Sequence, residues 1–215
     1  MSARVMAPGQ ATVIAVTSGK GGVGKTNVAV NVGVALARLG YRTGVVDADF
    51  ALGNVDVLLG LSGEHHLGHV LAGQRTLRDV ALAGPQGLQV FPATSGLQAL
   101  AGLTRGQQAT REIGVVVNGV TDAHDARLTF RQIDTASDRF LKRSLRYLGY
   151  VTRDPLMQDS IVQQRPVVDH NPQAPASRCF RVLASRLAGL APGHGQPAQI
   201  GARPRGPVEE MPRCA

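Results

Sequence analysis

The chain has 215 residues, 43% of them hydrophobic, and a formal net charge of +8. That is a globular composition, long enough for one domain with a sizeable core, and no apolar run approaches the ~20 residues of a membrane span. The positive balance favours anionic partners such as nucleotides, nucleic acid or an acidic membrane face. It is spread along the chain without the basic stripe of a DNA reader, so specific nucleic-acid binding is not expected.

Residues 1–10, MSARVMAPGQ, lack the basic-then-apolar pattern of a secretory signal; they are expected to be a flexible N-terminus on a cytoplasmic protein. Residues 11–17, ATVIAVT, form a continuous apolar, β-branched run, as in a strand covered on both faces of a parallel sheet. A glycine-rich turn follows over 18–25. Residues 26–39 show helical periodicity, with Val28, Val32, Ala35, Leu36 and Leu39 on one face, and Gly40 sits where a C-terminal cap belongs. Residues 43–47, TGVVD, read as a second buried strand. The unit is strand–loop–helix–strand, the start of a doubly wound α/β sheet.

Further along, 67–72 and 76–83 predict short helices, and 88–91 (LQVF) and 113–117 (IGVVV) predict strands. Residues 125–141 predict a helix with Phe130, Ile133, Ser137 and Phe140 near one face. Residues 147–151 predict a short strand, and 159–164 and 176–187 predict helices. One domain is therefore expected over 11–190. Residues 191–215, rich in Pro, Gly and Arg, read as a disordered tail. Cys179 and Cys214 have no metal-binding spacing, and a cytosolic disulfide is not expected.

The chemistry concentrates in Gly19, Lys20, Gly21, Gly22, Val23, Gly24, Lys25 and Thr26, which fit G-x-x-x-x-G-K-[ST]. Glycines let the backbone curl so that successive N–H groups point inward at a phosphate. The following helix adds the positive end of its dipole. Lys25 is placed to reach the β- and γ-phosphates of ATP, and the Thr26 hydroxyl to ligate Mg²⁺. Lying between a buried strand and an amphipathic helix, the motif meets the context test for a phosphate-binding loop. Asp47 and Asp49 follow the second strand, at the end where ligands bind in such sheets. Asp47 is a candidate to hold a Mg²⁺-bound water and Asp49 to orient the attacking water; helix caps or surface acids are the alternatives. His65, His66 and His69 have a spacing that suits a metal, but no acidic or thiol partner is near in sequence, so they read as surface residues.

Lys20 is a second lysine inside the loop. With it, Lys20–Thr26 reads KGGVGKT, and the chain resembles the deviant-Walker P-loop ATPases of the MinD/ParA family. The likeness runs from about residue 12 to 190. The segments AVTSGKGGVGKTNVAVNV, VVDADFALGNVDVLLGL, GLQVFPATSG and YLGYVTRDPLMQDSIVQQRPVV look most like the FlhG/FleN regulators of flagellar number. The resemblance implies ATP hydrolysis with Mg²⁺ and an ATP-sandwich homodimer in which Lys20 crosses to the partner's nucleotide. It matches Asp47, Asp49 and Asn54 to the family's DxD-and-Asn motif, and implies that Asn118, after the 113–117 strand, reads adenine; a turn-favouring Asn before Gly119 is the alternative. It further implies action on a flagellar signal-recognition-type GTPase (FlhF) and on a flagellar transcriptional activator. Septum-site MinD or a ParA-type partition protein is the other branch.

Three departures accompany the likeness. Residues 1–10 contain no DQAxxLR-like, GTPase-stimulating stretch. The membrane-attaching helix of the family has its counterpart in 176–190, where Phe180, Leu183, Leu187 and Leu190 alternate with Arg178, Arg181 and Arg186; this fits a core-packed last helix at least as well as an anionic membrane surface and peripheral attachment. Several tens of residues are missing near 103–112. After Asp47 no run of four apolar residues ends in Asp, so the Walker B strand is not found. The sheet is therefore expected to lack central strands, and a nucleotide-binding pseudoenzyme or regulatory adaptor with impaired hydrolysis becomes the alternative to an active ATPase.

Overall fold

A computed structural model describes residues 12–47, 53–92 and 113–190. The expectations for residues 1–10, for Asp49, for the gap at 103–112 and for the tail at 191–215 lie outside the described residues.

The phosphate-loop helix, α1 (Lys25–Arg38), is the centre of the fold. Val30, Val32, Val34 and Ala35 are buried in it, so it is covered on more sides than its amphipathic pattern predicts. One side lies over strand β1 (Gly44–Val46) and the turn at Pro85–Gly87 that leads into β3 (Gln89–Phe91), the other against α8 (Pro175–Ala188) and α7 (Val167–His170). Burying an aliphatic side chain of this size contributes about 1.5–3 kcal/mol. Gly33 brings α1 close to the sheet: a Cβ there would stand 3.0 Å from Val45 and 3.2 Å from Leu88. The helix ends as expected at Gly40, whose φ of +88° suits glycine. The Gly40 N–H donates to Ala37 and the Tyr41 N–H to Leu36, closing the last carbonyls of the helix.

The strands form two sheets. β1 pairs parallel with β3, and β3 pairs antiparallel with β2 (Leu82–Ala83), giving the order β1-β3-β2. β4 (Gly114–Val120) pairs parallel with β5 (Arg146–Thr152) in a separate two-stranded sheet. Between residues 12–92 and 113–190, no backbone-to-backbone hydrogen bond is formed among the described residues. The two parts meet through side chains. Phe180, Leu183, Val167 and Val168 join Val30, Val34, Leu88 and Val90 in one buried cluster. Asn31, buried in α1, accepts the Val168 N–H at 3.1 Å, and Gln164 donates to the Val57 carbonyl at 2.8 Å.

Several expectations are corrected. Residues 12–18 carry no strand. A strand needs a neighbour to take its N–H and C=O groups, and none among the described residues pairs with it. Val13 is 84% exposed, and Ile14 and Val16 are exposed as well. The predicted helix at 76–83 shrinks to α4 (Leu77–Val80), because Leu82 and Ala83 are drawn into pairing with β3. α6 (Pro155–Val162) starts earlier than predicted, since Asp154 caps it, its carboxylate accepting the Leu156 N–H. Two four-residue helices, α2 (Val55–Leu58) and α7, were not predicted; one turn is too short to show a period. The helix at 125–141 is present as α5 (Ala123–Leu141), but only part of its apolar face is covered. Ser137 is buried and Phe130 packs on Tyr147, while Phe140 is 74% exposed. α3 (Leu67–Leu71) stands as expected.

Candidate phosphate-binding site

Residues 19–24 make a turn that leads directly into α1. Gly22 and Gly24 have φ of +71° and +89°, backbone that only glycine adopts readily. Gly24 is the N-cap of α1. It has no side chain to cap the helix, and no acidic residue lies in the first turn. The first bond to the loop runs from the Val28 N–H to the Gly24 carbonyl. The amides of residues 19–27 donate to no described residue. An uncapped helix N-terminus of 14 residues, preceded by a curled run of unengaged N–H groups, is a donor set for an anion.

The loop is open. Residues 18–23 are exposed, whereas Gly24, Lys25 and Thr26 are half-buried. Ser18 Oγ donates to the Lys20 carbonyl at 2.7 Å, closing the entry to the turn. Neither Lys20 nor Lys25 has a carboxylate within 4 Å among the described residues. Both ammonium groups are therefore available to a polyphosphate, and the residues present fit ATP with a hard divalent cation.

Asp47 follows β1 and is buried. A short connection returns the chain from α1 to β1, so the helix runs antiparallel to the strand and its N-terminus lies at the Asp47 end of the sheet. Oδ2 of Asp47 accepts the N–H groups of Asn54 at 2.8 Å and Val55 at 3.1 Å. Asp47 is not itself an N-cap, since Asn54 holds that position, but its carboxylate takes the amides that open α2. Those two bonds also fix the carboxylate in place. Asp49 lies outside the described residues.

Asn118 is brought to the loop. It lies within β4 rather than after it, beside an irregularity in the β4–β5 register at Asn118–Val120. Its Nδ2 donates to the Val23 carbonyl at 2.8 Å, across 95 residues of chain. The histidine trio forms no metal site; no metal-binding group of three was found among the described residues. His66 and His69 stack at 4.0 Å, with His65 edge-on at 5.4 Å from His69. Nδ1 of His69 accepts the His66 N–H at 3.2 Å, starting α3. Desolvation lowers the His69 pKa, and the neighbouring His66, His65 and Arg75 lower it further.

Asp154 is a residue that sequence reasoning passed over. Its second carboxylate oxygen accepts the Ala176 N–H at 3.0 Å, so one buried acid caps both α6 and α8. Asp before Pro155 was the available signal. In α8, Ala176, Cys179, Phe180, Leu183 and Ala184 are buried against α1, α7 and β5. Phe180 and Leu183 of the apolar face offered as a membrane anchor are therefore occupied by the core, with Leu187 partly buried against it and Leu190 exposed. No described helix is long and apolar enough to cross a membrane.

A glycine-rich loop running into the N-terminus of a helix packed on parallel strands defines a P-loop nucleotide-binding protein of α/β architecture. The chain belongs to the CobQ/CobB/MinD/ParA nucleotide-binding domain family, which matches residues 14–167. It is 33% identical to the antiactivator FleN of Pseudomonas aeruginosa, covering 81% of this chain and 85% of that protein. That match spans 239 positions, more than the 215 residues present here, so the relative has stretches without a counterpart in this chain. Over a shorter stretch it is 40% identical to the flagellum site-determining protein YlxH of Helicobacter pylori, covering 43% of this chain and 31% of that one. Its fold is similar to that of the septum site-determining protein MinD of Pyrococcus horikoshii, solved in complex with Mg-ADP. That likeness has a TM-score of 0.57 and 19% identity, over 80% of this chain and 94% of the other. The fold is a MinD-like P-loop fold with fewer strands.

Proposed function

We infer that the chain is an ATP-binding switch of the MinD/ParA type that regulates flagellar number and placement. The observation that carries this reading is the 33% identity to an antiactivator over most of both chains. The flagellar site-determining relative adds support from a second organism. The amides of residues 19–27 and the α1 dipole would hold the polyphosphate of ATP, with Lys25 on its β- and γ-phosphates. The Thr26 hydroxyl, and Asp47 through a water, would hold Mg²⁺, whose charge, when bound, offsets that of the phosphate oxygens. The MinD complex with Mg-ADP supports that choice of ligand. Lys20 would cross to the partner's nucleotide in an ATP-dependent homodimer, and Asp49 would orient the attacking water. A flagellar FlhF-type GTPase and a flagellar transcriptional activator would be the partners of that dimer. Any peripheral membrane contact would fall to a surface other than the buried face of α8.

One observation favours a second reading, in which nucleotide is bound but hydrolysed poorly. Residues 12–18 have no neighbouring strand among those described, and no described strand after β1 is followed directly by Asp. A Walker B aspartate beside the loop would normally help to hold the metal. Calorimetry with ATP and Mg²⁺, paired with phosphate-release kinetics, tests both readings. Saturable heat that disappears in Lys25→Ala, with light scattering showing a dimer only with ATP, is the expected result. No heat at millimolar ATP or ADP from folded protein would overturn the switch. Lys25-dependent turnover at rates usual for such ATPases would overturn the second reading alone.

A further inference from the structure

Asn118 does something to the loop that reading a base does not require. Its amide nitrogen donates to the Val23 carbonyl, and a Cβ placed on Gly24 would stand only 2.7 Å from the same nitrogen. The amide therefore sits close against the Val23–Gly24 peptide. That peptide unit is planar and trans, so its C=O and its N–H point in opposite directions. Holding the Val23 carbonyl toward β4 turns the Gly24 N–H away from β4. Gly24 is the N-cap of α1 at φ +89°, a position with no side chain of its own to set its orientation. Asn118 is in turn held in the sheet, within β4, beside a register shift and next to Gly119 at φ +75°.

We propose that Asn118 is a positioning residue for the phosphate loop, orienting the Gly24 amide toward the polyphosphate through the Val23 carbonyl. The inference rests on the nucleotide-binding reading above, and deepens it: the β4 end of the second sheet sets the geometry of the loop that recognises phosphate. An amide engaged in this way acts on any ligand with a polyphosphate tail, whether or not a base is attached. A residue that only reads a base acts on nucleotides alone.

Inorganic tripolyphosphate separates the two. Affinities for ATP and for tripolyphosphate are measured by calorimetry on the full chain, for wild type, Asn118→Ala and Asn118→Asp. Loss of one neutral hydrogen bond predicts a fall of up to about tenfold, by the same factor for both ligands, in Asn118→Ala. Binding stoichiometry and melting temperature show whether the variant is folded. Asn118→Asp, which puts acceptors where the donors stood, binds tripolyphosphate more weakly still at pH 7.5. It gains on Asn118→Ala as the pH is lowered and a protonated carboxyl can again donate to Val23. An ATP affinity that falls while tripolyphosphate affinity is unchanged overturns the inference, as does a variant that binds both ligands like wild type. Should wild type bind neither ligand, the nucleotide reading falls and this inference with it.

Discussion

Asp169 takes three hydrogen bonds where α7 meets the first part of the chain: from Arg38 at 2.8 Å, Gln86 at 2.9 Å and Arg165 at 3.3 Å. Burial raises its pKa, but Gln86, Arg165 and Arg38 together outweigh that, and the net shift is downward from 3.8. A carboxylate with a lowered folded pKa stabilises the fold fully above its unfolded value. That contribution fades as pH falls through the folded value. Asn at this position keeps the shape and loses the charge. Asp169→Asn should cost about 1–3 kcal/mol in a urea melt at pH 7. The loss should shrink as pH falls below the ordinary carboxylate value of 3.8 and on through the lowered folded value, where the native carboxylate takes up its proton. An equal loss at both pH values would mean that charge is not what this site contributes. Sequence showed the loop residues Gly19 to Thr26 because their spacing is local. It did not show Asp169 with Arg38 or Asn118 with Val23, whose partners lie 131 and 95 residues away.

At the scale of elements, periodicity showed α1, α5 and α8, since each runs for several turns. It failed where partners decide the outcome. The β-branched run at 12–18 has the composition of a strand and no described neighbour to make it one. Leu82 and Ala83 have a helical context and pair with β3 instead. Gly40 shows a local signal that survived: φ is +88° and a Cβ would meet nothing within 4 Å. Gly40→Ala should therefore cost only the left-handed backbone penalty, about 1–2 kcal/mol, with no loss from crowding. A thermal melt checks this, and a loss several times larger would show that the turn after α1 carries more than its conformation.

Across the whole molecule, a P-loop α/β fold was legible from the first fifty residues, and a sheet with fewer strands from the stretch missing near 103–112. What the sequence could not reveal is how the remaining strands would regroup. They form two ladders rather than one sheet, with α1 and α8 packed between them. Val46, in the strand that ends the β1-β3-β2 order among the described residues, is 58% exposed. The long match to the antiactivator FleN is in keeping with this: the relative has positions that have no equivalent here.

Among the described residues, 12–92 and 113–190 meet through side chains without a main-chain ladder, so the link between them contributes chiefly the entropy of keeping the two parts together. A protease site engineered within 93–112 should, once cut, leave a noncovalent heterodimer that co-elutes as one species and still melts cooperatively. Its apparent stability should become concentration-dependent, as for any bimolecular assembly. Pieces that drift apart at micromolar concentration would show that the interlocked valines, Phe180 and Leu183 are too weak a clasp without the tether.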